Sequence, residues 1–222
     1  LSRNVASLAK LTKADDSLAY PLTKEMAQAI VDACGEYSES LKRAVLFGIG
    51  TGLRAGEHAA LRWQDVDLEG RYLMVRHSLA RTYSAGETWR LAEPKTPQSR
   101  RRVDLDGLRI QILIDERATQ DGSEGYCFRD SQNRPRPYDP RHLQTALERK
   151  GLLIRADNEK RLTWDAACRE GHGALLLQQG FNVVECAKRI GNTPAVFAKH
   201  YAGITTDSMV RLGSGLEALG IQ

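Results

Sequence analysis

The run Ala44–Ile49 (AVLFGI), broken at once by Gly50-Thr51-Gly52, constrains this chain more than any other feature. A helix over about Ser40–Gly50 would carry Ala44, Val45, Leu46, Phe47 and Ile49 on nearly every face. Such a helix must be wrapped by other elements, so it predicts the centre of a multi-helix domain. It is far shorter than the roughly 20 apolar residues a bilayer crossing requires, and no membrane partner is expected. The 222 residues suffice for one large domain or two small ones, and 41% apolar with 27% charged residues is globular composition. Lys plus Arg exceed Asp plus Glu by 32 to 28, a net charge of +4 too mild to prove a nucleic-acid partner by itself. The four cysteines (Cys34, Cys127, Cys168, Cys186) form no CxxC pair. Neither a zinc site nor a disulfide framework is expected, and a reducing cytoplasm is the default.

Around the central helix the pattern is mainly helical. Thr23 is placed to cap a helix to about Ala33 with Met26, Ala27, Ile30 and Val31 on one face. A short helix is expected over Ala55–Leu61. The middle of the chain turns β-like over Tyr72–Ser78, Thr88–Ala92 and Arg101–Leu105, with turn residues between. An amphipathic helix over Leu108–Ala118 would put Leu108, Ile112, Leu113 and Ile114 inward. Further helices are expected from Asp139-Pro140 to about Lys150, over Thr163–Gln179, from Asn182 to Gly191, from Thr193-Pro194 through Tyr201, and over 206–219. The fold class expected is α+β: a mainly helical domain over 21–222 with one small antiparallel sheet. Residues 1–20 read as a linker, and Leu at position 1 predicts a piece of a longer protein or a processed chain.

Four segments hold candidate chemistry. In Gly50-Thr51-Gly52-Leu53-Arg54-Ala55-Gly56-Glu57, an arginine is pinned between a buried helix and a short one, and its planar fork suits phosphate oxygens. On this segment alone, a plain pairing with Glu57 is the reading slightly favoured. Pro94–Leu105 reads as a hairpin with Lys95 on one side and Arg100, Arg101 and Arg102 on the other. From Lys95 to Arg109 five basic residues face two acidic ones, and such a hairpin can track a DNA backbone. Solvated edge charges are the ordinary alternative. Arg169 sits at the mouth of an apolar helix and needs an anion or a carboxylate partner, with Asp165 and Glu170 at hand. Tyr201 closes the last segment, Ile190–Tyr201, and alone would carry no message.

Together the ordered segments TGLRAGEHAALRWQDVDL, PKTPQSRRRVDL, CREGHGALLLQQG and RIGN…AKHYAG resemble the catalytic domain of the tyrosine recombinases, the phage-integrase family. The resemblance covers about residues 20–205. It implies Arg54 and Arg169 as the paired arginines, Lys95 as the hairpin lysine and Tyr201 as the nucleophile. Two positions depart. Ala166 stands three residues before Arg169, where the family has His or Lys. Asn192 stands after Gly191, where the family has His or Trp. The stretch around Trp164–Cys168 also looks one residue longer than usual.

The resemblance implies a site-specific recombinase that cuts and rejoins double-stranded DNA through a 3′-phosphotyrosyl link, without metal or other cofactor. The alternative is a degenerate relative that binds DNA without cutting it. Arg54 and Arg169 would have to come together although far apart in sequence. Arg100, Arg101, Arg102 and Arg141 are the expected DNA-binding residues. The basic stretch Arg129–Arg161, with nine basic and five acidic residues, extends that face. A tetramer on DNA and an N-terminal core-binding domain ahead of residue 1 are also implied, with a last helix that either docks on a neighbouring subunit or packs on its own domain.

Overall fold

A computed structural model of the chain describes residues 18–81, 89–93, 99–120, 124–129, 134–135, 140–155, 159–202 and 204. The expected linker up to residue 17, the segment holding Lys95 and the helix expected over 206–219 lie outside the described residues.

Helix α1 (Lys24–Tyr37) starts at Thr23, whose hydroxyl accepts the Met26 N–H, and runs through Gly35 to a boundary four residues beyond the expected one. Ser38 then closes α1 through its N–H and opens α2 (Glu39–Thr51) by accepting the Leu41 N–H. α2 is the expected central helix. Its Val45 and Phe47 are wholly buried. One side packs with α1, α5 (Pro140–Glu148) and Trp164 in a first core. The opposite side contributes Phe47 to a second core with the sheet and α4 (Gly107–Ala118).

The β-like middle forms two pairings where one was expected. β1 (Val66–Asp67), β2 (Tyr72–Val75) and β5 (Arg101–Asp104) make a three-stranded antiparallel sheet in the order β1-β2-β5, with Leu73 opposite Val103. β3 (Ser78–Arg81) and β4 (Trp89–Ala92) pair separately, with Leu79 opposite Leu91. β5 alternates buried and exposed residues, so Arg101 and Val103 face inward while Arg102 and Asp104 face outward. On α4, Ile112 and Leu113 are buried as expected, but Leu108 and Ile114 are 48% and 44% exposed. The inward arc is narrower than expected because α4 covers only the sheet side of α2.

The C-terminal part begins with a π-helical turn over Asp165–Glu170, which continues as α6 (Gly171–Gln178). A π turn closes its hydrogen bond over one residue more than an α turn, here from the Gly171 N–H to the Ala166 carbonyl. α7 (Val183–Ile190) is held at its start by Asn182 and Glu185, which bond each other's backbone N–H groups, and ends at Gly191 with φ 72°. α8 (Pro194–His200) begins at Thr193-Pro194 and ends at Tyr201. Ala19 and Tyr20 are buried against these helices: the Ala19 N–H donates to the His200 carbonyl at 2.8 Å, and the Tyr20 N–H to Glu170 Oε2 at 3.0 Å. All four cysteines are buried free thiols. Among the described residues no helix is long and apolar enough to cross a membrane.

Candidate active site

The site is built on the C-terminal end of α2, where backbone carbonyls lack helical partners and the helix dipole is negative. Side chains from other elements supply the donors. Arg189 Nη2 bonds the Gly50 carbonyl at 3.2 Å and Arg169 Nη1 the Gly52 carbonyl at 3.2 Å, while Arg109 Nη2 adds a bond at 3.0 Å to the Leu46 carbonyl one turn earlier in the helix. His172 Nδ1 lies 2.7 Å from the Ile49 carbonyl, and Arg189 Nε donates to His172 Nε2 at 3.4 Å. His172 is therefore neutral with its proton on Nδ1. Burial, reinforced by the Arg189 charge, pushes its pKa down to about 3. Gly52 makes the turn out of α2 at φ 66°, and a Cβ there would lie 2.7 Å from the His172 ring.

That turn delivers Arg54 to the start of α3 (Ala55–Ala59), where Glu57 is buried. Glu57 is the hub of the site. Its Oε1 accepts from Arg54 Nη1 at 3.0 Å and Arg101 Nη1 at 3.3 Å. Its Oε2 accepts from the Arg54 N–H at 3.0 Å and Arg101 Nη2 at 2.9 Å. Arg169 Nη1 lies 4.0 Å from the same Oε2. Burial alone would raise the Glu57 pKa, but Arg101, then Arg169 and Arg54, hold it below the usual carboxylate range. Three guanidinium groups thus share one carboxylate, leaving local positive charge in a poorly hydrated place. Burial, then the neighbouring Arg54 charge, lowers the Arg169 pKa to about 10, still far above neutrality. Arg54 is the accessible member, with its side chain 41% exposed against 8% for Arg169.

Asn192 joins the group from the turn after α7, where its Oδ1 accepts from Arg169 Nη2 at 3.1 Å. Tyr201 stacks on Phe197 at 4.0 Å between ring centroids, is 2% exposed, and places its hydroxyl 3.5 Å from the Arg169 carbonyl. Gly173 leaves room for the phenol: a Cβ there would lie 2.5 Å from the Tyr201 oxygen. Burial, with Glu170 adding to it, pushes the Tyr201 pKa well above the ordinary phenol value.

Arg54, Arg169, Asn192 and Tyr201 are thus brought together. Ala166 is buried in the first core, and the residue of the π turn that reaches the Arg54 loop is Asp165, whose Oδ1 accepts the Ala55 N–H at 3.4 Å. Arg101 is not presented on the surface: its side chain is 5% exposed and bonded to Glu57. The neighbouring arginines do face outward. Arg100 pairs with Glu93, and Arg102 pairs with Asp104 and lies 4.1 Å over the Tyr72 ring. Arg141 is exposed on α5. Two residues of the site escape sequence reasoning. Glu57 looks like a plain partner of Arg54, and Arg189 like any surface base. Their only signals are a glutamate three residues after a loop arginine and a basic residue in the last turn of a helix.

The model of the phage integrase family matches residues 21–206. The chain belongs to the phage integrase family. Its fold is that of solved tyrosine recombinases. The Tn1549 transposon integrase in complex with circular intermediate DNA superposes with a TM-score of 0.72 at 19% identity, over 97% of this chain and 72% of that one. The XerA recombinase gives 0.58 at 18% identity, over 90% of this chain and 64% of that one. A lambda integrase dimer bound to a core site gives 0.59 at 16% identity, over 90% of this chain and 53% of that one. In sequence, the chain is 32% identical over 100 residues to the defective protein IntQ of Escherichia coli (strain K12), a match covering 42% of this chain and 23% of that protein.

Proposed function

We propose that this chain is the catalytic domain of a DNA strand-exchange enzyme, with Tyr201 as nucleophile. The observation that carries the reading is the convergence of Arg54 and Arg169 on one buried carboxylate, with Asn192 bonded to Arg169 and Tyr201 packed under the Arg169 backbone. Two arginines held this way suit the non-bridging oxygens of one phosphodiester, where they offset the charge that grows on phosphorus as a fifth oxygen arrives. The Tyr201 oxygen would attack phosphorus, the bond to the 5′ oxygen would break, and a 3′-phosphotyrosyl link would form. The phenolic proton leaves Tyr201, and the departing 5′ oxygen takes up a proton, a role assigned to Lys95. Because the phosphotyrosyl ester keeps the bond energy, attack by a 5′ hydroxyl reverses the step without ATP.

The Asn192 amide nitrogen is the donor on that side chain, since its oxygen is engaged by Arg169. It would bond a phosphate oxygen but not exchange a proton at neutral pH. The exposed arginines Arg100, Arg102 and Arg141 would contact the backbone of double-stranded DNA. The lambda integrase that this fold resembles forms a tetramer on a Holliday junction, and a tetramer on DNA is the assembly proposed here.

The test uses nicked duplexes built on the site the protein selects from a random-sequence pool. After cleavage, release of the short strand traps the intermediate as a covalent protein–DNA band. A band that disappears in Tyr201→Phe is the expected result. Tight, sequence-selective binding with no band would instead assign the chain as a DNA-binding relative that does not cut.

A further inference from the structure

Arg101 belongs by sequence to a run of hairpin arginines, yet the pleat of β5 turns it inward. Its guanidinium makes four bonds to three parts of the chain. Nη1 and Nη2 form a fork on Glu57 at 3.3 and 2.9 Å, Nε donates to the Arg189 carbonyl at 2.9 Å, and Nη1 also reaches the Ser99 carbonyl at 3.3 Å. Arg189 is in the last turn of α7, and the left-handed turn at Gly191 brings the next residue, Asn192, back to Arg169. The contacts close a ring: Arg101 to Glu57, Glu57 to Arg169, Arg169 to Asn192, and through the end of α7 back to Arg101.

We propose that Arg101 is a positioning residue for the arginine pair, acting by occupying Glu57 so that the Arg169 guanidinium stays available to a phosphate. This rests on the strand-exchange reading given above. The physical reason is competition for one carboxylate. With Arg101 in place, both Glu57 oxygens are already filled and Arg169 is held at 4.0 Å, outside hydrogen-bond range. Without it, a buried carboxylate beside a buried guanidinium closes into a fork-to-fork pair, the strongest geometry open to both. Arg169 would then be neutralised by Glu57 and drawn away from Asn192. Arginine is required because one planar group must reach Glu57 and the Arg189 carbonyl together, which a single ammonium does not span.

The experiment compares the whole 222-residue chain with Arg101→Lys and Arg101→Met, each assayed well below its own melting temperature. Two readouts are taken. The first is the single-turnover rate of covalent adduct formation on the nicked duplex, with DNA affinity measured separately. The second is the affinity for inorganic sulfate, read from the rise in melting temperature with sulfate at constant ionic strength, with Arg54→Ala defining the loss of the site. The expected result is an adduct rate lower by roughly 10²-fold in Arg101→Met, with DNA affinity little changed and partial recovery in Arg101→Lys. Sulfate affinity should fall roughly tenfold or more, the scale of one charge-assisted bond. A lower melting temperature with rate and sulfate affinity like wild type would overturn the proposal and leave Arg101 a core ion pair. Wild type showing no Arg54-dependent sulfate binding would overturn it as well. If wild type forms no adduct but does bind sulfate through Arg54, the cleavage reading fails while the sulfate comparison still decides the role of Arg101.

Discussion

Replacing Glu57 by Gln removes the negative charge from the most crowded point of the fold. The carboxylate accepts four hydrogen bonds, three of them from guanidinium nitrogens, at 2.9 to 3.3 Å. An amide keeps one acceptor oxygen and turns a nitrogen donor toward guanidinium donors, so about half of these bonds disappear. Arg54 is 41% exposed and can rehydrate, whereas Arg101 and Arg169, at 5% and 8%, cannot. Breaking a buried ion pair from one side costs about 3–5 kcal/mol, and Glu57→Gln should fall in that range at pH 7. For a chain of this size that is a drop in melting temperature of about 6–20 °C. The pH dependence has a definite sign. The folded pKa of Glu57 lies below its unfolded value, so its contribution is complete above the unfolded pKa. It vanishes as pH falls through the depressed folded value. Urea denaturation of both proteins at pH 7, and again at successively lower pH, should show the gap narrowing only in acid. A gap under about 1 kcal/mol at pH 7, or one that stays constant into acid, would refute the view of Glu57 as a charged hub.

Tyr201→Phe should abolish the covalent band yet cost under about 1 kcal/mol of stability, because the hydroxyl has only a 3.5 Å contact to a carbonyl; denaturation of the variant checks this. Gly173→Ala should destabilise by roughly 1–3 kcal/mol and displace the phenol, since the added methyl meets the Tyr201 oxygen; the phenolic absorbance of Tyr201 should then titrate nearer the ordinary value. Changing Arg100, Arg102 and Arg141 together to Gln should weaken DNA binding without regard to sequence. It should flatten the dependence of log affinity on log salt by about 0.9 for each phosphate no longer neutralised, measured by titration at several salt concentrations.

The parts of this fold that announce themselves in sequence are those set by local chemistry. Thr23, Asn182 and Thr193 cap helices, and an apolar run as dense as Ala44–Ile49 has nowhere to go but the centre. Side-chain direction across long separations is not legible in the same way. Arg100, Arg101 and Arg102 look alike in the sequence, and only the pairing of β5 with β2 decides that the middle one points at Glu57. Likewise the π turn over Asp165–Glu170, with Ala166 inward and Asp165 toward the Arg54 loop, depends on what packs around it. His172 follows the same logic. Its role as a neutral partner of the Ile49 carbonyl is set by the end of another helix.

The buried phenol of Tyr201 sets a condition on any DNA-cutting mechanism. An attacking oxygen must meet phosphorus, and an oxygen facing the Arg169 carbonyl from a 2% exposed ring does not. Burying a ring of this size is worth about 1.5–3 kcal/mol, and its stacking on Phe197 adds roughly 0.5–1.5 kcal/mol. Moving the ring out therefore costs about 2–5 kcal/mol before the tie between the Ala19 N–H and the His200 carbonyl is counted. Non-specific DNA binding at a dissociation constant of roughly 10⁻⁴–10⁻⁶ M corresponds to about 5–8 kcal/mol. Only the part of that energy that differs between the two ring positions can shift the balance. Uniform backbone contacts from surface arginines favour neither position. On the proposed mechanism, the contacts that select the exposed tyrosine must be made at the site itself, where a phosphate bound between Arg54 and Arg169 would lie next to the backbone against which the phenol is packed.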